Sequence, residues 1–237
     1  MGDGFLKKAK KPWLRIILIW ILTIFFAYQI WILAHVIWWV NHNPRMSAFM
    51  KEGLDALQLH HPHARIYQQW VPYSALSINL KRAVIASEDE TFARNDGFDF
   101  RAIEAAYHED IRRGRIVAGG STITQQLAKN LLLSKSRTPW RKLQEGIITI
   151  ELNTLMTKKR ILDLYLNVIQ WGNGIYGAEA ATRHYFGVHA SVLSPYQAAR
   201  LAAMIPDPGF YDLHRNDPWL AWKTNLILSR MDAMRVP

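Results

Sequence analysis

The stretch GGSTITQQLAKN, residues 119–130, combines two glycines, a helix start and a cation within twelve residues. The glycines can adopt backbone angles that other residues avoid, and Thr122 with Gln125 has the reciprocal spacing of a capping box. Lys129 follows four residues after Gln125 and therefore lies on the same helix face. This polar stripe predicts a surface that holds a polar, anionic ligand. A solvated helix face is the alternative that the stretch alone leaves open.

An acidic run, Glu88, Asp89 and Glu90, is the second candidate for chemistry. A carboxylate acts as a general base when its site raises its pKa or aligns it well, and such a base contributes about 10²–10⁴ in rate. The residues alone do not choose among these three acids. The histidines give no competing metal site, because His60, His61 and His63 lack an acidic or cysteine partner with ligand spacing.

Four further blocks accompany the glycine-led stretch in a fixed order. They are AVIASEDETFARNDGFD (83–99) upstream, and RKLQE (141–145), KKRILDLYLN (158–167) and GNGIYGAEAATRHYFG (172–187) downstream. Together the five blocks resemble the family 51 glycosyltransferases, the peptidoglycan glycosyltransferases that polymerise lipid II. The likeness runs from about Trp70 to Met231, and its ordered blocks make it a more specific signal than a lone short motif.

The resemblance implies a role for the charged side chains of these blocks. It assigns Glu88 to deprotonating the 4-hydroxyl of the acceptor sugar. Lys129, Arg137 and Lys142 correspond to family residues that bind the donor's diphosphate, where cations stabilise the charge that builds on the leaving group. Glu145 corresponds to the second glutamate, which supports the reaction from across the cleft. A plain surface ion pair between Glu145 and Lys142 is the alternative.

Other polar residues of the blocks are expected to bind substrate or to support the site. They are Asp89, Ser121, Thr122, Gln125, Gln126 and Asn130. Asp89 is expected to organise the loop that presents Glu88. For the side chains from Ser121 to Gln126, contact with sugar or phosphate and helix capping are both open. Asn95 stands where the family usually carries histidine, so the resemblance defines no role for it.

The resemblance also implies the cofactors and partners. No cofactor is required, although a divalent cation, Mg²⁺ or Mn²⁺, can help the family at the diphosphate. The sequence contains no dedicated carboxylate cage for such an ion. The expected partners are lipid II, the growing glycan strand and membrane lipids, with other proteins of cell-wall synthesis or division as a further class.

The composition fits one catalytic domain with an appendage. The 237 residues are 50% hydrophobic and include no cysteine, so the chain can bury one core of ordinary domain size without disulfides or thiol chemistry. Its formal net charge of +10 favours anionic partners. Nucleic acid is excluded as the partner, because the chain lacks a zinc-finger spacing and an RNP-like aromatic pattern.

Residues 14–40 form a long apolar run that, from Ile16 onward, only Gln29 and His35 interrupt. At about 1.5 Å per residue it crosses the roughly 30 Å hydrocarbon layer, which predicts a transmembrane helix. The cations at residues 7–15 place the N-terminus in the cytoplasm. A cleaved signal peptide is the alternative, but the run exceeds the ~7–15 residues typical of one. We therefore expect a single-pass inner-membrane protein with a periplasmic catalytic domain.

The elements after this helix are mostly helical. We expect a cytoplasmic tail at 1–13, the transmembrane helix at 14–40, a stalk at 41–69, the glycosyltransferase domain at 70–232 and a tail at 233–237. Alternating strand patterns are scarce, so the predicted class is all-α. The resemblance implies a lysozyme-like arrangement with a cleft between two helical lobes.

Several helix ends can be predicted from local signals. Asp99 caps a helix that stops at Gly114. Thr138 and Pro139 open a long helix. That second helix offers four apolar residues to the core: Ile147, Ile150, Leu152 and Leu155.

Other functions remain open at this stage. No S-x-x-K or K-T-G sequence occurs, so we expect no transpeptidase activity, as in the monofunctional members of the family. A lytic transglycosylase or muramidase would act on finished glycan and would not need cations around a diphosphate. A non-catalytic scaffold that binds lipid II would keep its function after Glu88→Gln.

Overall fold

The computed structural model describes residues 12–114, 120–136 and 138–237, and these residues are mainly helical, which confirms the predicted class. The helices are α1 (Pro12–Asn41), α2 (Ala48–His60), α3 (Ile78–Glu88), α4 (Phe100–Arg113), α5 (Ile123–Leu132), α6 (Pro139–Leu155), α7 (Lys158–Val168), α8 (Ala178–Phe186), α9 (Pro195–Met204), α10 (Pro208–Leu213) and α11 (Pro218–Arg230). The strands are β1 (Tyr67–Gln68), β2 (Gln170–Gly172) and β3 (Ile175–Tyr176). The first glycine of the 119–130 stretch and the cations at residues 7–11 lie outside the described residues.

The N-terminal helix α1 packs directly against the domain that follows it. It is long and apolar enough to cross a membrane over Trp13–Asn41. Its second half contacts α6, where Ile32 and Val36 are fully buried. Gln29 Nε2 donates a hydrogen bond to Gln144 Oε1 at 3.0 Å. Most apolar side chains of its first half are exposed, as expected for a helix that faces lipid.

Two groups of packed helices build the core of the domain after α1. In the first group, α3 and α11 both pack against α9, and Leu80 and Leu201 are fully buried. In the second group, α5 packs against both α6 and α7, where Leu127, Ile148 and Leu164 are fully buried. Two helical groups of this kind agree with the expected lysozyme-like fold.

A small three-stranded sheet is the part of the fold that the sequence did not predict. Its order is β1–β3–β2, with β1 parallel and β2 antiparallel to β3. The turns around β3 depend on Gly174 and Gly177, whose φ angles are +73° and +77°. Residues with a side chain rarely adopt these angles. Strands of two or three residues are too short to show an alternating pattern.

The capping predictions are confirmed at three helices. Asp99 accepts a hydrogen bond from the Ala102 N–H at the start of α4, and Gly114 ends that helix with a φ of +62°. Thr138 caps α6, and a proline occupies the first turn. Thr122 and Gln125 form the predicted capping box of α5. These signals depend on residues a few positions apart, so the sequence alone can reveal them.

The core face predicted for α6 is partly wrong. Leu152 is fully buried as expected, but Ile150 is 57% exposed and Leu155 is 39% exposed. The buried face instead includes Ile148, four residues before Leu152. Two residues along a helix correspond to a rotation of about 200°, so Ile150 points away from that face.

Candidate active site

Glu88 is the last residue of α3, and its side chain is only 10% exposed. Ser87 Oγ donates to Glu88 Oε1 at 2.8 Å, and Gln126 Nε2 donates to Glu88 Oε2 at 2.9 Å. Each carboxylate oxygen therefore has one protein donor and keeps a lone pair for another group. A carboxylate held in this way can accept a proton from a bound hydroxyl.

Gln126 connects Glu88 to a buried tyrosine. The Tyr165 hydroxyl donates to Gln126 Oε1 at 2.8 Å, and the Tyr165 side chain is fully buried. Because the amide oxygen of Gln126 accepts this bond, its amide nitrogen must face Glu88. Burial raises the pKa of Tyr165 well above its usual value, so the hydroxyl keeps its proton and remains a donor.

Asp89, expected to organise the loop after α3, connects that loop to the start of α5. Its carboxylate accepts hydrogen bonds from Asn95 Nδ2 at 2.8 Å and from the Ile123 backbone N–H at 3.1 Å. The second bond satisfies an N–H in the first turn of α5, which has no partner within the helix. Burial raises the pKa of Asp89, and the bonds from Asn95 and Ile123 oppose that rise.

Asn95, at the position where the family usually has histidine, joins an anion to a cation. Its amide nitrogen donates to Asp89, and its amide oxygen accepts from Lys158 Nζ at 3.0 Å and from the Gly97 N–H at 3.1 Å. One neutral side chain thus serves as donor and acceptor at once. This finding supplies the role that the sequence left undefined.

Lys129 lies on α5, three residues after Gln126, and it faces a cavity of about 160 Å³. We call this space the cation-side cavity; Gln126, Asn130 and Pro206 also line it. The ammonium lies 5.6 Å from the centre of the Phe49 ring and makes no hydrogen bond to another described residue. Burial lowers the pKa of Lys129, whereas nearby carboxylates raise it. The side chain is therefore available to an anionic ligand.

Glu145 is held between two cations of the same helix. Arg141 Nη1 donates to Glu145 Oε2 at 2.8 Å, and Lys142 Nζ donates to Glu145 Oε1 at 2.5 Å. The Glu145 side chain is 4% exposed, so the alternative of a plain surface ion pair does not fit. All three charges act on Lys129: Glu145 raises its pKa, and Arg141 and Lys142 lower it.

Arg141 is a site residue that was not predicted from the sequence, although a signal for it exists there. It stands four residues before Glu145 in the RKLQE block, the spacing of a helical ion pair. Arg137, which was predicted to bind the diphosphate, lies outside the described residues.

A second cavity of about 350 Å³ lies beside Glu88, and we call it the acid-side cavity. Ser121 lines it, whereas Asn130 lines the cation-side cavity and donates to the Gln126 carbonyl oxygen at 2.7 Å. Gln125 is 4% exposed and is occupied by the capping box, so it supports α5 and does not reach a ligand. Thr122 has the same capping role.

The hydrogen bond between Glu88 and Gln126 lies between the two cavities, since each residue lines one of them. We call the two cavities together the groove. The carboxylate of Glu88 on one side can take a proton from a bound group. The cations on the other side can stabilise the negative charge that develops on a leaving group.

Lys223 of α11 is another groove residue that was not predicted from the sequence. Its Nζ lies 3.9 Å from Glu88 Oε1, and its side chain is 15% exposed. The residue lies outside the five sequence blocks, and a lone lysine in an amphipathic helix is usually a solvent-facing residue. Only the tertiary packing of α11 brings it to Glu88.

Comparisons with known proteins support a single family. The Transglycosylase family model matches residues 56–232. The chain is 55% identical over 213 residues to a biosynthetic peptidoglycan transglycosylase from Chromobacterium violaceum, which covers 90% of this chain and 93% of the relative. For proteins of the same name, the identity is 51% over 227 residues in Nitrosospira multiformis (96% and 99% covered) and 54% over 225 residues in Methylobacillus flagellatus (95% and 97% covered).

Proposed function

The chain belongs to the transglycosylase family, and we propose how its groove carries out peptidoglycan glycosyl transfer in cell-wall synthesis. The substrates are lipid II and the growing glycan strand. The observation that carries the mechanism is the hydrogen bond between Glu88 and Gln126, which places the acid-side cavity next to the cavity that contains Lys129. In this proposal an acceptor bound on one side meets a donor bound on the other.

In the proposed step, Glu88 takes the proton of the acceptor's glucosaminyl 4-hydroxyl. The hydroxyl oxygen forms a bond to the anomeric carbon of the muramyl sugar at the end of the growing chain. The bond from that carbon to the diphosphate oxygen breaks, and its electron pair leaves with undecaprenyl diphosphate. Attack from the face opposite the leaving group converts an α-linked donor into a β-1,4 linkage.

Cations at the cation-side cavity hold the leaving diphosphate in this proposal. Lys129 is the main contact because it is partly buried, faces the cation-side cavity and makes no hydrogen bond to another described residue. Lys142 is 53% exposed and can reach the same anion, while Glu145 fixes its direction. Arg137 joins them on the grounds of its sequence position, and its planar group suits bidentate contact with phosphate.

Neighbouring polar residues position the acid. Tyr165 fixes the amide of Gln126, which in turn holds one oxygen of Glu88. Asp89 ties the loop after Glu88 to the first turn of α5. Both devices keep the carboxylate in place, and a well-aligned base is more effective than a mobile one.

None of the described residues that line the cation-side cavity carries a carboxylate for a divalent cation. Both oxygens of Glu145 already accept from cations, and Mg²⁺ and Mn²⁺ prefer free oxygen ligands. We therefore propose that the described residues hold the diphosphate without a required metal. A stimulating ion would bind to the diphosphate oxygens themselves.

The packing of α1 against α6 supports a location at the outer surface of the inner membrane. The two helices are parallel, since Phe25 lies beside Trp140 and Gln29 lies beside Gln144. From Trp13, a layer of about 30 Å ends about 20 residues later, one helical turn beyond Gln29. Residues next to Gln144 then lie near the boundary of the periplasmic leaflet, where a lipid-linked diphosphate is found. The N-terminus is cytoplasmic in this arrangement.

The test is polymerisation of lipid II by the purified full-length protein. We expect glycan polymer from the wild type and a loss of at least about 10²-fold in rate for Glu88→Gln. Glu104→Gln is the matched control, because Glu104 is an exposed glutamate of α4 that lines neither cavity. Equal rates for Glu88→Gln and the wild type would refute the mechanism. Release of soluble fragments from sacculi, without polymerisation, would instead favour a lytic enzyme.

A further inference from the structure

Lys223 is a mostly buried cation that the proposed mechanism has not used. It lies on α11, which packs against α3 and α9. Its ammonium lies 5.3 Å from the centre of the Trp219 ring, one helical turn earlier. Attraction to the ring face helps to hold the ammonium in the wall of the acid-side cavity, which Lys223 lines together with Glu88.

The distance between Lys223 and Glu88 indicates that a ligand group belongs between them. The separation of 3.9 Å between Lys223 Nζ and Glu88 Oε1 is longer than a direct hydrogen bond, which is about 2.7–3.2 Å. Lys223 makes no hydrogen bond to another described residue, so its three N–H donors are available. Burial lowers the pKa of Lys223, and Glu88 opposes that effect. An ammonium removed from most water without a hydrogen-bond acceptor is a candidate for ligand contact.

A hydroxyl group has the chemistry that this gap requires. It can donate its proton to the carboxylate while its oxygen accepts a hydrogen bond from the ammonium. An oxygen about 2.8 Å from each of the two atoms forms a triangle over their separation with normal hydrogen-bond lengths. Ser87 and Gln126 already occupy the other sides of Glu88, so the ligand hydroxyl enters from the side of Lys223.

We infer that Lys223 is a further catalytic residue, which donates a hydrogen bond to the 4-hydroxyl oxygen of the acceptor while that hydroxyl donates to Glu88. The inference rests on the proposed function, because it names a second contact of the same acceptor. During the step, the hydroxyl proton moves to Glu88, and an electron pair of the oxygen forms the new bond to the anomeric carbon. The pair of the broken bond leaves with the diphosphate, and Lys223 keeps its own proton throughout. Its contribution is to stabilise the negative charge that develops on the oxygen as the proton leaves.

The test compares Lys223→Met with Lys223→Arg in the lipid II polymerisation assay. We expect Lys223→Met to lower kcat by about 10²-fold, the effect of removing one donor to developing oxyanion charge. Lys223→Arg keeps the charge and a donor, and we expect its kcat to remain within about tenfold of the wild type. Lys51→Met is the matched control, because Lys51 is an exposed lysine of α2, and its kcat should not change.

A double variant tests whether Lys223 and Glu88 act on the same hydroxyl. If they do, Glu88→Gln combined with Lys223→Met should be no slower than Glu88→Gln alone, since the rate losses of residues that act as a unit are not additive. Thermal melting checks that each protein is folded, and Lys223→Gln replaces Lys223→Met if the latter unfolds.

Wild-type kcat in a folded Lys223→Met protein would overturn the inference, and so would losses that add fully in the double variant. These outcomes differ from failure of the proposed function. In that case the wild type makes no polymer, or Glu88→Gln is as active as the wild type. If polymerisation depends on Glu88 but not on Lys223, only the inference about Lys223 is wrong.

Discussion

Replacing Tyr165 with phenylalanine tests whether the orientation of Gln126 matters for catalysis. The hydroxyl of Tyr165 is the group that fixes the Gln126 amide, through a bond of 2.8 Å. Phenylalanine keeps the ring in its fully buried position and removes only this donor. The amide of Gln126 can then turn, and in the turned state its oxygen faces Glu88, where it repels the carboxylate instead of donating to it.

The size of the effect follows from the hydrogen bonds involved. A typical hydrogen bond contributes about 0.5–1.5 kcal/mol net, and Gln126 is only partly buried, so Tyr165→Phe should lower the free energy of unfolding by about that amount. Each 1.4 kcal/mol of lost alignment in the transition state corresponds to about a tenfold lower rate. We therefore expect kcat to fall roughly tenfold, with a small change in KM.

The assay is initial-rate polymerisation of lipid II together with thermal melting. Tyr185→Phe is the matched control, because the Tyr185 hydroxyl lies within hydrogen-bond distance of the Trp171 carbonyl oxygen and Asp212 Oδ1, and Tyr185 lines neither cavity of the groove. It should lose stability and keep its kcat. If Tyr165→Phe also keeps its kcat while losing similar stability, the orientation of Gln126 does not contribute and the reasoning fails.

Three further predictions concern the rate profile, the link to the anchor and the loop after α3. Lys129→Arg should move the alkaline limb of the pH profile of the polymerisation rate to higher pH. Burial lowers the pKa of Lys129, so activity is lost as pH rises through that pKa, whereas arginine stays charged. An unmoved limb would mean that another group titrates. Gln29→Leu should lower the melting temperature in lipid nanodiscs by removing a bond to Gln144 worth about 1 kcal/mol, and an unchanged value would contradict that contact. Asn95→Ala should lower the free energy of unfolding by about 2 kcal/mol in urea titrations, because it leaves Asp89 short of a donor, and a loss under about 0.5 kcal/mol would show that the bond is dispensable.

The parts of the fold that the sequence predicted are those set by local spacing. The capping box of Thr122 and Gln125 and the cap at Thr138 depend on residues three positions apart, and both form. The apolar run of α1 is equally local. The burial predicted for Ile150 was wrong, because the buried face of a helix depends on which other elements pack against it. The sequence of α6 alone does not contain that information.

Some residues of the candidate site could be predicted from the sequence, and others could not. The blocks of the sequence contain Glu88, Lys129 and Glu145, so a resemblance could name them. The bond that orients Gln126 comes from Tyr165 on another helix, and Lys223 reaches Glu88 only through the packing of α11. Contacts of this kind between distant segments require the tertiary structure.

The most direct test of the central claim measures the affinity of undecaprenyl diphosphate for three proteins. The account assigns proton removal to Glu88 and leaving-group binding to Lys129 on the other side of the groove. It predicts that Glu88→Gln binds this product within about twofold of the wild type while polymerising at least about 10²-fold more slowly. It also predicts that Lys129→Met binds the product at least about tenfold more weakly, as expected for loss of a partly buried charge contact. Wild-type affinity in Lys129→Met, or an equal loss in Glu88→Gln, would contradict the separate roles of the two sides.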